Sequence, residues 1–458
     1  MVAPLSKRAV VIGSGPNGLT AAIVLARAGL EVEVFEAAPS VGGGARTEEL
    51  TLPGFRHDVC SAIHPLARAS PAFRDLALDI DWVESPAACA HPFDDERAVT
   101  LERDLAATAA QLATDGRAYA EAVAPVARGV AQLVNGRFPR AGLPRVAAAL
   151  RSARELAESV FGGEPARGFF AGQAAHSQLP LERRPSAGFG LLLAALGHAV
   201  GWPFPRGGSR AIADALVRQL ESFGGTVHTS APVGELPRAD LVLADVMPCE
   251  LLRLARLPAR YACALRRYRH AAGAFKVDWA LAAPIPWRAD ACPRAATVHL
   301  GATLEEISAS EREHRSRRPF VLLAQPSLFD STRAPDGKHT AWAYCHVPNG
   351  STEDRTAEIE TQVERFAPGF RDVILARSAH GPAELEADNR NYVGGDINGG
   401  VMDLRQLWFR PVRRAIPYRT PLRGVYFCSS ATPPGGGVHG MCGWLAAKVV
   451  LRDLRRKT

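Results

Sequence analysis

The sequence predicts an α/β fold of two domains, and three observations carry that prediction. Residues 9–35 have the pattern of a strand, a glycine loop, a helix and a second strand. Two further glycine clusters are VGGGA at 41–45 and PPGGGVHGMCG at 433–443. A chain of 458 residues usually exceeds what one hydrophobic core serves, so we expect a second domain beside the one that holds these clusters.

Composition and charge are those of an ordinary globular protein, with 47% hydrophobic and 22% charged residues. The net charge is +7, but the arginines are scattered over solvated faces, so no nucleic-acid partner is expected. The eight cysteines form no CxxC pair and no paired metal spacing, which favours a reducing compartment and predicts no metal site. The residues before the first strand lack an apolar signal region, so we expect a cytoplasmic protein, with peripheral membrane contact as an open alternative.

AVVIGSGPNGLTAAIVLARAGLEVEVFEAAP has the spacing of a dinucleotide-binding motif, with strands at 9–12 and 31–35 and a helix over about 17–28. Its glycines permit a tight turn, a close approach to a pyrophosphate, and close packing of helix on strand. The helix N-terminus offers amides to phosphates, and Glu36 stands where a carboxylate accepts ribose hydroxyls. The predicted contacts are Gly13, Gly15, Pro16, Asn17, Gly18 and Glu36.

The next segment, VGGGARTEELTLPGFRHDVCSAIHP at 41–65, is not the βα unit expected of a nicotinamide dehydrogenase. Its glycines allow backbone to close over a pyrophosphate, whose charge Arg46 could balance. This segment resembles the flavoprotein superfamily of phytoene desaturases and amine oxidases. It is most similar to the phytoene-dehydrogenase-like proteins related to pyridine nucleotide-disulfide oxidoreductase domain-containing proteins. The resemblance implies that the cofactor is FAD.

The resemblance also implies a glutathione-reductase-like Rossmann FAD-binding domain built from three sequence blocks, with an interleaved α+β substrate-binding domain. We place the FAD-binding domain in residues 1–75, 201–255 and 385–458, and the substrate-binding domain in 76–200 and 256–384.

The middle block predicts a helix that Ser209 caps and Gly224 ends, and the third predicts a strand at 425–428, a glycine run and a last helix. In related proteins that last helix points its amides at the flavin. The resemblance implies these further cofactor contacts: Gly43, Gly44, Ala45, Arg46, Cys60, Ser61, Ala62, Val233, Ser430, Gly437, Val438 and His439.

The sequence departs from the superfamily at several places. Gly44 stands where many members have an arginine, and Ser430 stands near the usual position of an acidic residue. The only other glycine-rich candidate, GGDINGG at 394–400, lacks the strand context of a dinucleotide motif, so we expect electrons to come from the substrate. Without a CxxC pair, disulfide reductase chemistry is not expected.

Lys276 is the first catalytic candidate and lies in AGAFKVDWAL, which predicts an apolar strand. In the amine-oxidase branch a strand lysine at this place holds a water against flavin N5, and the resemblance implies that role here. Desolvation would make the charge of such a lysine adjustable. The alternative is a lysine that points to solvent or pairs with Asp278.

Two histidines complete the catalytic candidates. His64 closes FRHDVCSAIHP and could face the substrate, whereas His57 is expected in the core or at the surface and Asp58 as a structural hydrogen-bond acceptor. His439 stands where close relatives have an aliphatic residue or methionine. It could bind the flavin carbonyls or take a proton, or it could cap the last helix or pack under the flavin ring.

Together these features predict an FAD-dependent oxidoreductase, a desaturase or dehydrogenase that moves a hydride from a substrate C–H bond to flavin N5. Oxygen, a quinone or another acceptor would take the electrons. The apolar helix predicted at 186–200, with Trp202 and Phe204, indicates a hydrophobic small-molecule substrate. The alternatives are an FAD-dependent amine or amino-acid oxidase that makes peroxide, a redox-neutral isomerase, and a non-catalytic flavin-binding protein.

Overall fold

The computed structural model describes residues 7–134 and 143–456. Its strands are β1 Arg8–Ile12, β2 Glu31–Phe35, β3 Thr47–Glu48, β4 His57–Asp58, β5 Trp82–Val83, β6 Ala87–Pro92, β7 Ala98–Glu102, β8 Phe204–Pro205, β9 Thr226–His228, β10 Leu241–Ala244, β11 Gly273–Leu281, β12 Thr297–Leu300, β13 Val321–Ala324, β14 His339–Val347, β15 Ile374–His380 and β16 Val425–Phe427.

Its helices are α1 Pro16–Arg27, α2 Pro65–Arg68, α3 Pro71–Leu76, α4 Leu105–Ala110, α5 Gly116–Val134, α6 Leu143–Ala149, α7 Ala153–Val160, α8 Glu164–Ala175, α9 Ser186–Val200, α10 Arg210–Ser222, α11 Pro248–Leu254, α12 Ala259–Arg266, α13 Leu304–Glu313, α14 Thr356–Phe366, α15 Pro382–Asp388, α16 Leu404–Phe409 and α17 Met441–Arg455. Short 3-10 turns lie at Ala113–Asp115, Cys292–Arg294, Pro326–Leu328, Ser331–Arg333, Phe370–Val373 and Val393–Gly395. Within the described ranges, no helix is both long enough and apolar enough to cross a membrane.

The glycine motif belongs to a five-stranded parallel sheet with the order β16–β10–β1–β2–β9. The central β1 reads RAVVI, the continuous apolar run expected of a strand that is covered on both faces. One hydrophobic core joins this sheet to α1, α10 and α17. Because its strands come from residues 8–35, 226–244 and 425–427, the predicted α/β fold from three sequence blocks is confirmed. The domain boundaries themselves stay a prediction.

A seven-stranded sheet has the order β15–β11–β14–β13–β12–β6–β7, and its pairs are antiparallel except β12 with β6. Its strands come from residues 87–102 and 273–380, the two segments that we assigned to the substrate side. On its central strands Thr297, Ala324 and Trp342 stand side by side, so the three side chains share one face.

The start of α10 differs from its prediction. Ser209 does precede the helix, but its side chain makes no capping hydrogen bond. Its hydroxyl donates to the Ser61 carbonyl and contacts His64 Nε2 at 2.8 Å. The predicted capping role of Ser209 is therefore wrong, because this hydroxyl holds the segment 57–64 in place.

The first helix, α1, and the last helix, α17, approach each other closely at Gly443. A side chain at this position should therefore destabilise the folded protein. A Cβ on Gly443 would overlap the Asn17 carbonyl oxygen, and neither backbone can move without separating α1 from α17. We expect Gly443→Ala to lower the free energy of unfolding by about 1–3 kcal/mol, as overpacking does. Chemical denaturation measures this.

The matched control is Gly234→Ala, because a Cβ on Gly234 has no atom within 4 Å in the described part of the chain. That variant should unfold like the parent. Equal stability of the two variants would contradict the proposed helix contact.

Candidate active site

One cavity with a volume of about 1130 Å³ is lined by residues from both sheets. It lies at the carboxyl ends of β1, β2 and β10, the edge where open α/β sheets bind ligands. The catalytic candidates His64 and His439 line it, whereas Gly18 and Lys276 do not. The other predicted residues that line it are Gly13, Gly15, Pro16, Asn17, Glu36, Gly43, Gly44, Ala45, Arg46, Cys60, Ser61, Ala62, Val233, Ser430, Gly437 and Val438.

Asp245, which follows β10, fills the space beside the glycine loop. A Cβ on Gly13 would lie 2.9 Å from the Asp245 carbonyl oxygen, and a Cβ on Gly15 would lie 2.9 Å from Asp245 Oδ2. The Gly18 N–H donates to the same Oδ2 at 2.8 Å. Gly18 therefore closes the packing of helix on strand, and only glycine fits all three positions.

The side chain of Asp245 lines the cavity in an unusual electrostatic state. Burial raises the pKa of Asp245 to about 7; the Gly18 N–H opposes this rise and the negative charge of Glu36 adds to it. Near neutral pH the carboxyl is therefore partly protonated. Protonation removes negative charge from the helix N-terminus, where a phosphate would bind.

Glu36 ends β2 and is held rigidly at its edge of the cavity. Its carboxylate accepts hydrogen bonds from Ser14 N at 2.8 Å, Ser14 Oγ at 2.7 Å and Ala38 N at 2.9 Å. A carboxylate has about four acceptor positions, so it retains capacity for a ribose hydroxyl. Nearby, the buried Asn17 Oδ1 has no hydrogen-bond partner in residues 7–134 and 143–456.

The second glycine cluster touches the first. A Cβ on Gly43 would lie 3.2 Å from Gly15 Cα, and the φ of Gly43 is +55°, a conformation that favours glycine. At Gly44 a Cβ would overlap the Tyr392 hydroxyl, so a tyrosine fills the space beside the position where many related proteins have an arginine. No local pattern points to Tyr392, which lies 348 positions further along the chain.

Arg46 lines the cavity, but its guanidinium is already paired with acidic side chains. Its guanidinium contacts Asp388, lies 3.5 Å from Glu48 Oε1 and donates to the Gly43 carbonyl at 3.1 Å. The expected use of Arg46 as a balance for a pyrophosphate is thus weakened.

Asp58 has the structural role that the sequence predicts. It is fully buried, lies 2.9 Å from Arg333 Nη1, and accepts hydrogen bonds from Ser209 N at 2.7 Å and Thr47 Oγ1 at 2.8 Å. Burial alone would raise the pKa of Asp58, but Arg333 and these hydrogen bonds bring it below its ordinary value. The ion pair joins β4 to the turn Ser331–Arg333, which lies between strands β13 and β14 of the seven-stranded sheet.

His64 has a ring nitrogen, Nδ1, that accepts no hydrogen bond from the described residues. Because the Ser209 hydroxyl donates its one hydrogen to Ser61, it accepts from His64 Nε2, and His64 Nδ1 keeps its lone pair. That buried Nδ1 has no partner within the described residues. Burial lowers the pKa of His64 to about 4, so the ring is neutral at pH 7.

His439 has the opposite arrangement. Its Nδ1 accepts from the Met441 N–H at 3.0 Å, at the start of α17, so the neutral ring carries its hydrogen on Nε2. Burial lowers the pKa of His439 to about 4. His439 therefore caps the last helix, as one of our alternatives expected, and also lines the cavity.

Lys276 follows its structural alternative. The side chain is buried, its ammonium pairs with Asp278, and it lies 5.3 Å from the centre of the Trp342 ring. Trp342 lines the cavity and Lys276 does not. The expected contact of Lys276 with the cavity is not observed.

The remaining wall is aromatic and aliphatic. The rings of Trp342 and Tyr344 stack 5.9 Å apart, and the predicted helix α9 adds Phe189 and Leu192. Trp202 lines the cavity as expected, but Phe204 packs against Arg333 instead. Sequence reasoning missed Trp342 and Tyr344, although their alternation in β14 signals one common face.

Comparisons with known proteins identify relatives of this chain. Residues 11–79 match the model of an NAD(P)-binding Rossmann-like domain. The chain is 28% identical to pyridine nucleotide-disulfide oxidoreductase domain-containing protein 2 of Rattus norvegicus, over 98% of this chain and 94% of the relative. The chain is thus similar over nearly its whole length to an oxidoreductase domain-containing protein.

Two further matches cover nearly the whole chain. A zeta-carotene-forming phytoene desaturase of Myxococcus xanthus is 25% identical over 94% of this chain and 91% of the relative. A putrescine oxidase structure superposes with a TM-score of 0.63 at 16% identity and covers 99% of both chains, which shows the shared fold. The predicted resemblance to the desaturase and amine-oxidase superfamily is confirmed.

Breaking the buried ion pair of Asp58 and Arg333, beside the cavity, should strongly destabilise the protein. Asp58→Ala would leave the fully buried Arg333 with only Asp330 as a partner, and we expect the free energy of unfolding to fall by about 3–5 kcal/mol. Denaturant unfolding measures the loss.

Asp81→Ala is the comparison, since it removes an exposed partner of Arg206 and should leave stability unchanged within error. If Asp58→Ala were as stable as Asp81→Ala, Asp58 would have no structural role.

Proposed function

We propose that the chain is an FAD-dependent oxidoreductase that accepts a hydride from a C–H bond of an apolar small molecule. One observation carries the proposal. A single cavity is lined at one end by a dinucleotide-type glycine loop with Glu36 and at the other by aromatic and aliphatic side chains. A cofactor and an apolar substrate therefore share one enclosed space.

The residues present fit FAD. The cavity volume of about 1130 Å³ exceeds the range of roughly 300–1,000 Å³ that is usual for pockets of drug-sized ligands, so it has room for a dinucleotide. Two glycine clusters bring bare backbone to it, and Asn17 Oδ1 awaits a partner. At the far end Gly436 and Gly437 line the cavity, just before α17 begins. When bound, FAD supplies a hydride acceptor at its N5 atom.

The chain's own residues then have distinct tasks. Trp202, Trp342 and α9 bind the apolar part of the substrate and exclude water. His439 holds the start of α17 through its Nδ1, which accepts from the Met441 N–H. Among the three catalytic candidates, His64 alone combines a place on the cavity wall with an unpaired acceptor atom, so we assign proton acceptance to His64 Nδ1.

Anaerobic mixing tests this proposal. The purified protein should bind FAD, and the visible flavin absorption should bleach when an apolar substrate with an oxidisable C–H bond is added without oxygen. We expect His64→Gln to slow bleaching by about 100-fold or more at unchanged FAD content, as loss of a general base does.

His57→Gln provides the control, because His57 is a buried histidine of the same segment that does not line the cavity. Failure of every substrate to bleach the bound flavin would exclude the dehydrogenase and favour an isomerase or a non-catalytic flavin protein. Peroxide formation with an amine panel would favour the oxidase alternative.

Because burial raises the pKa of Asp245, we expect the affinity for FAD to depend on pH. The ionised carboxylate would repel the cofactor phosphates, so the protonated form binds better, and affinity should fall as pH rises through about 7. The fall is at most roughly tenfold per pH unit for one proton. Titration of apoprotein with FAD between acidic and basic pH, followed by flavin fluorescence, measures it.

Asp245→Asn should abolish most of this dependence, because an amide does not ionise. The neighbouring Cys428 is a thiol whose pKa is raised by burial, so it does not replace the missing titration near pH 7. An unchanged pH profile in Asp245→Asn would show that another group is responsible.

A further inference from the structure

A short helix at the edge of the cavity exposes aromatic side chains. Trp408 and Phe409, at the end of α16, are 68% and 45% exposed. The other large apolar side chains with comparable exposure among the described residues, Val146, Phe223 and Leu375, are not next to one another in the chain. Scattered single residues of that kind are usual on soluble proteins, whereas adjacent Trp and Phe are not.

Three exposed arginines lie within five residues of this aromatic pair in the chain, and the guanidinium of Arg414 lies 5.5 Å from the centre of the Tyr261 ring. Arg405, Arg413 and Arg414 are exposed and form no salt bridge in the part of the chain that the structure describes. The guanidinium of Arg413 lies 5.1 Å from the centre of the Phe409 ring. We call Arg405, Trp408, Phe409, Arg413 and Arg414 the mouth surface. It combines exposed aromatic groups with unpaired positive charge.

The mouth surface is continuous with the cavity and firmly anchored. Leu407 and Trp408 line the cavity, so one side of Trp408 faces the ligand space while most of the ring faces solvent. Arg410, between the two halves of the surface, is fully buried and donates to the Ser430 carbonyl at 3.2 Å. A rigid contact therefore joins the mouth surface to the cofactor side of the cavity.

We propose that the mouth surface docks on an anionic lipid bilayer, and that apolar substrates pass from that bilayer into the cavity. Interfacial segments combine Trp or Phe with arginines that contact anionic headgroups. A specific protein interface buries about 800 Å² on each partner, more than five neighbouring side chains supply. A bilayer requires only shallow insertion of Trp408 and Phe409. An apolar molecule then reaches the cavity without crossing water.

Vesicle binding tests the docking without any substrate. The full-length protein is mixed with vesicles of phosphatidylcholine alone, or with added phosphatidylglycerol, and the bound fraction is measured by flotation. We expect binding only with the anionic lipid, and weaker binding as salt rises. Arg413→Gln should weaken binding about fivefold, and Trp408→Ala or Phe409→Ala about tenfold.

Matched controls distinguish docking from general stickiness. Phe223→Ala and Leu375→Ala remove apolar side chains that are 42% and 48% exposed elsewhere, and both should bind vesicles like the parent. Each variant is compared at equal melting temperature and FAD content. Vesicles should also shift tryptophan emission to shorter wavelength, and Trp408→Phe should remove that shift while it retains most of the binding.

Three results would overturn the docking. They are equal binding to both vesicle types, equal loss in Phe223→Ala, and a Trp408-dependent dimer in sedimentation, which would assign the surface to a second copy of this chain. The passage of substrate rests on the proposed function, whereas the docking does not. Vesicle binding without flavin bleaching would therefore refute the function alone, and bleaching without vesicle binding would refute the docking alone.

Discussion

The contact between Asp245 and the glycine loop is the interaction on which the rest of the structure depends. β10 lies parallel to β1, so its carboxyl end carries Asp245 directly against Gly13, Gly15 and Gly18. A Cβ on Gly13 would meet the Asp245 carbonyl, one on Gly15 the end of the Asp245 side chain, and one on Gly18 the Gly13 carbonyl. Since β16 pairs with β10 on its other side, the same contact positions the third block and the glycine run that follows it.

Several charged groups at and beside the cavity are held in ion pairs. Arg46 pairs with Asp388, Arg333 with Asp58 and Lys276 with Asp278. Buried charges are tolerated only in such pairs, and breaking one leaves its partner uncompensated. Burial lowers the pKa of the histidines on the cavity wall, to about 4 for His64 and His439 and to about 3 for His176, so their rings are neutral. The wall therefore offers amides, neutral rings and apolar surface, which suits an apolar substrate.

The sequence predicts the fold well because its signals are local. Glycine spacing, apolar runs and the helical pattern before Gly224 depend on neighbouring residues, and each appears in the structure within a few positions. The side-chain partners depend on contacts between distant blocks. Asp245 and Tyr392 were missed for that reason, and the hydroxyl of Ser209 serves His64 and Ser61 instead of its own helix. Lys276 has its predicted strand, but the register of β11 with β14 pairs it with Tyr344, and its ammonium lies over the ring of Trp342, which lines the cavity.

The glycines at the start of α17 let this last helix pack closely on the first helix, α1, beside one cavity. A Cβ on Gly440 would overlap the Thr20 hydroxyl, and one on Gly443 would overlap the Asn17 carbonyl, so α17 lies directly on α1. Both helices begin at residues that line the same cavity, Pro16 for α1 and His439 just before α17. Two positive helix ends therefore converge on one space. A single ligand with an anionic phosphate portion and a second portion that gains negative charge on reduction would use both, which is the physical argument for the flavin dinucleotide of the proposed function.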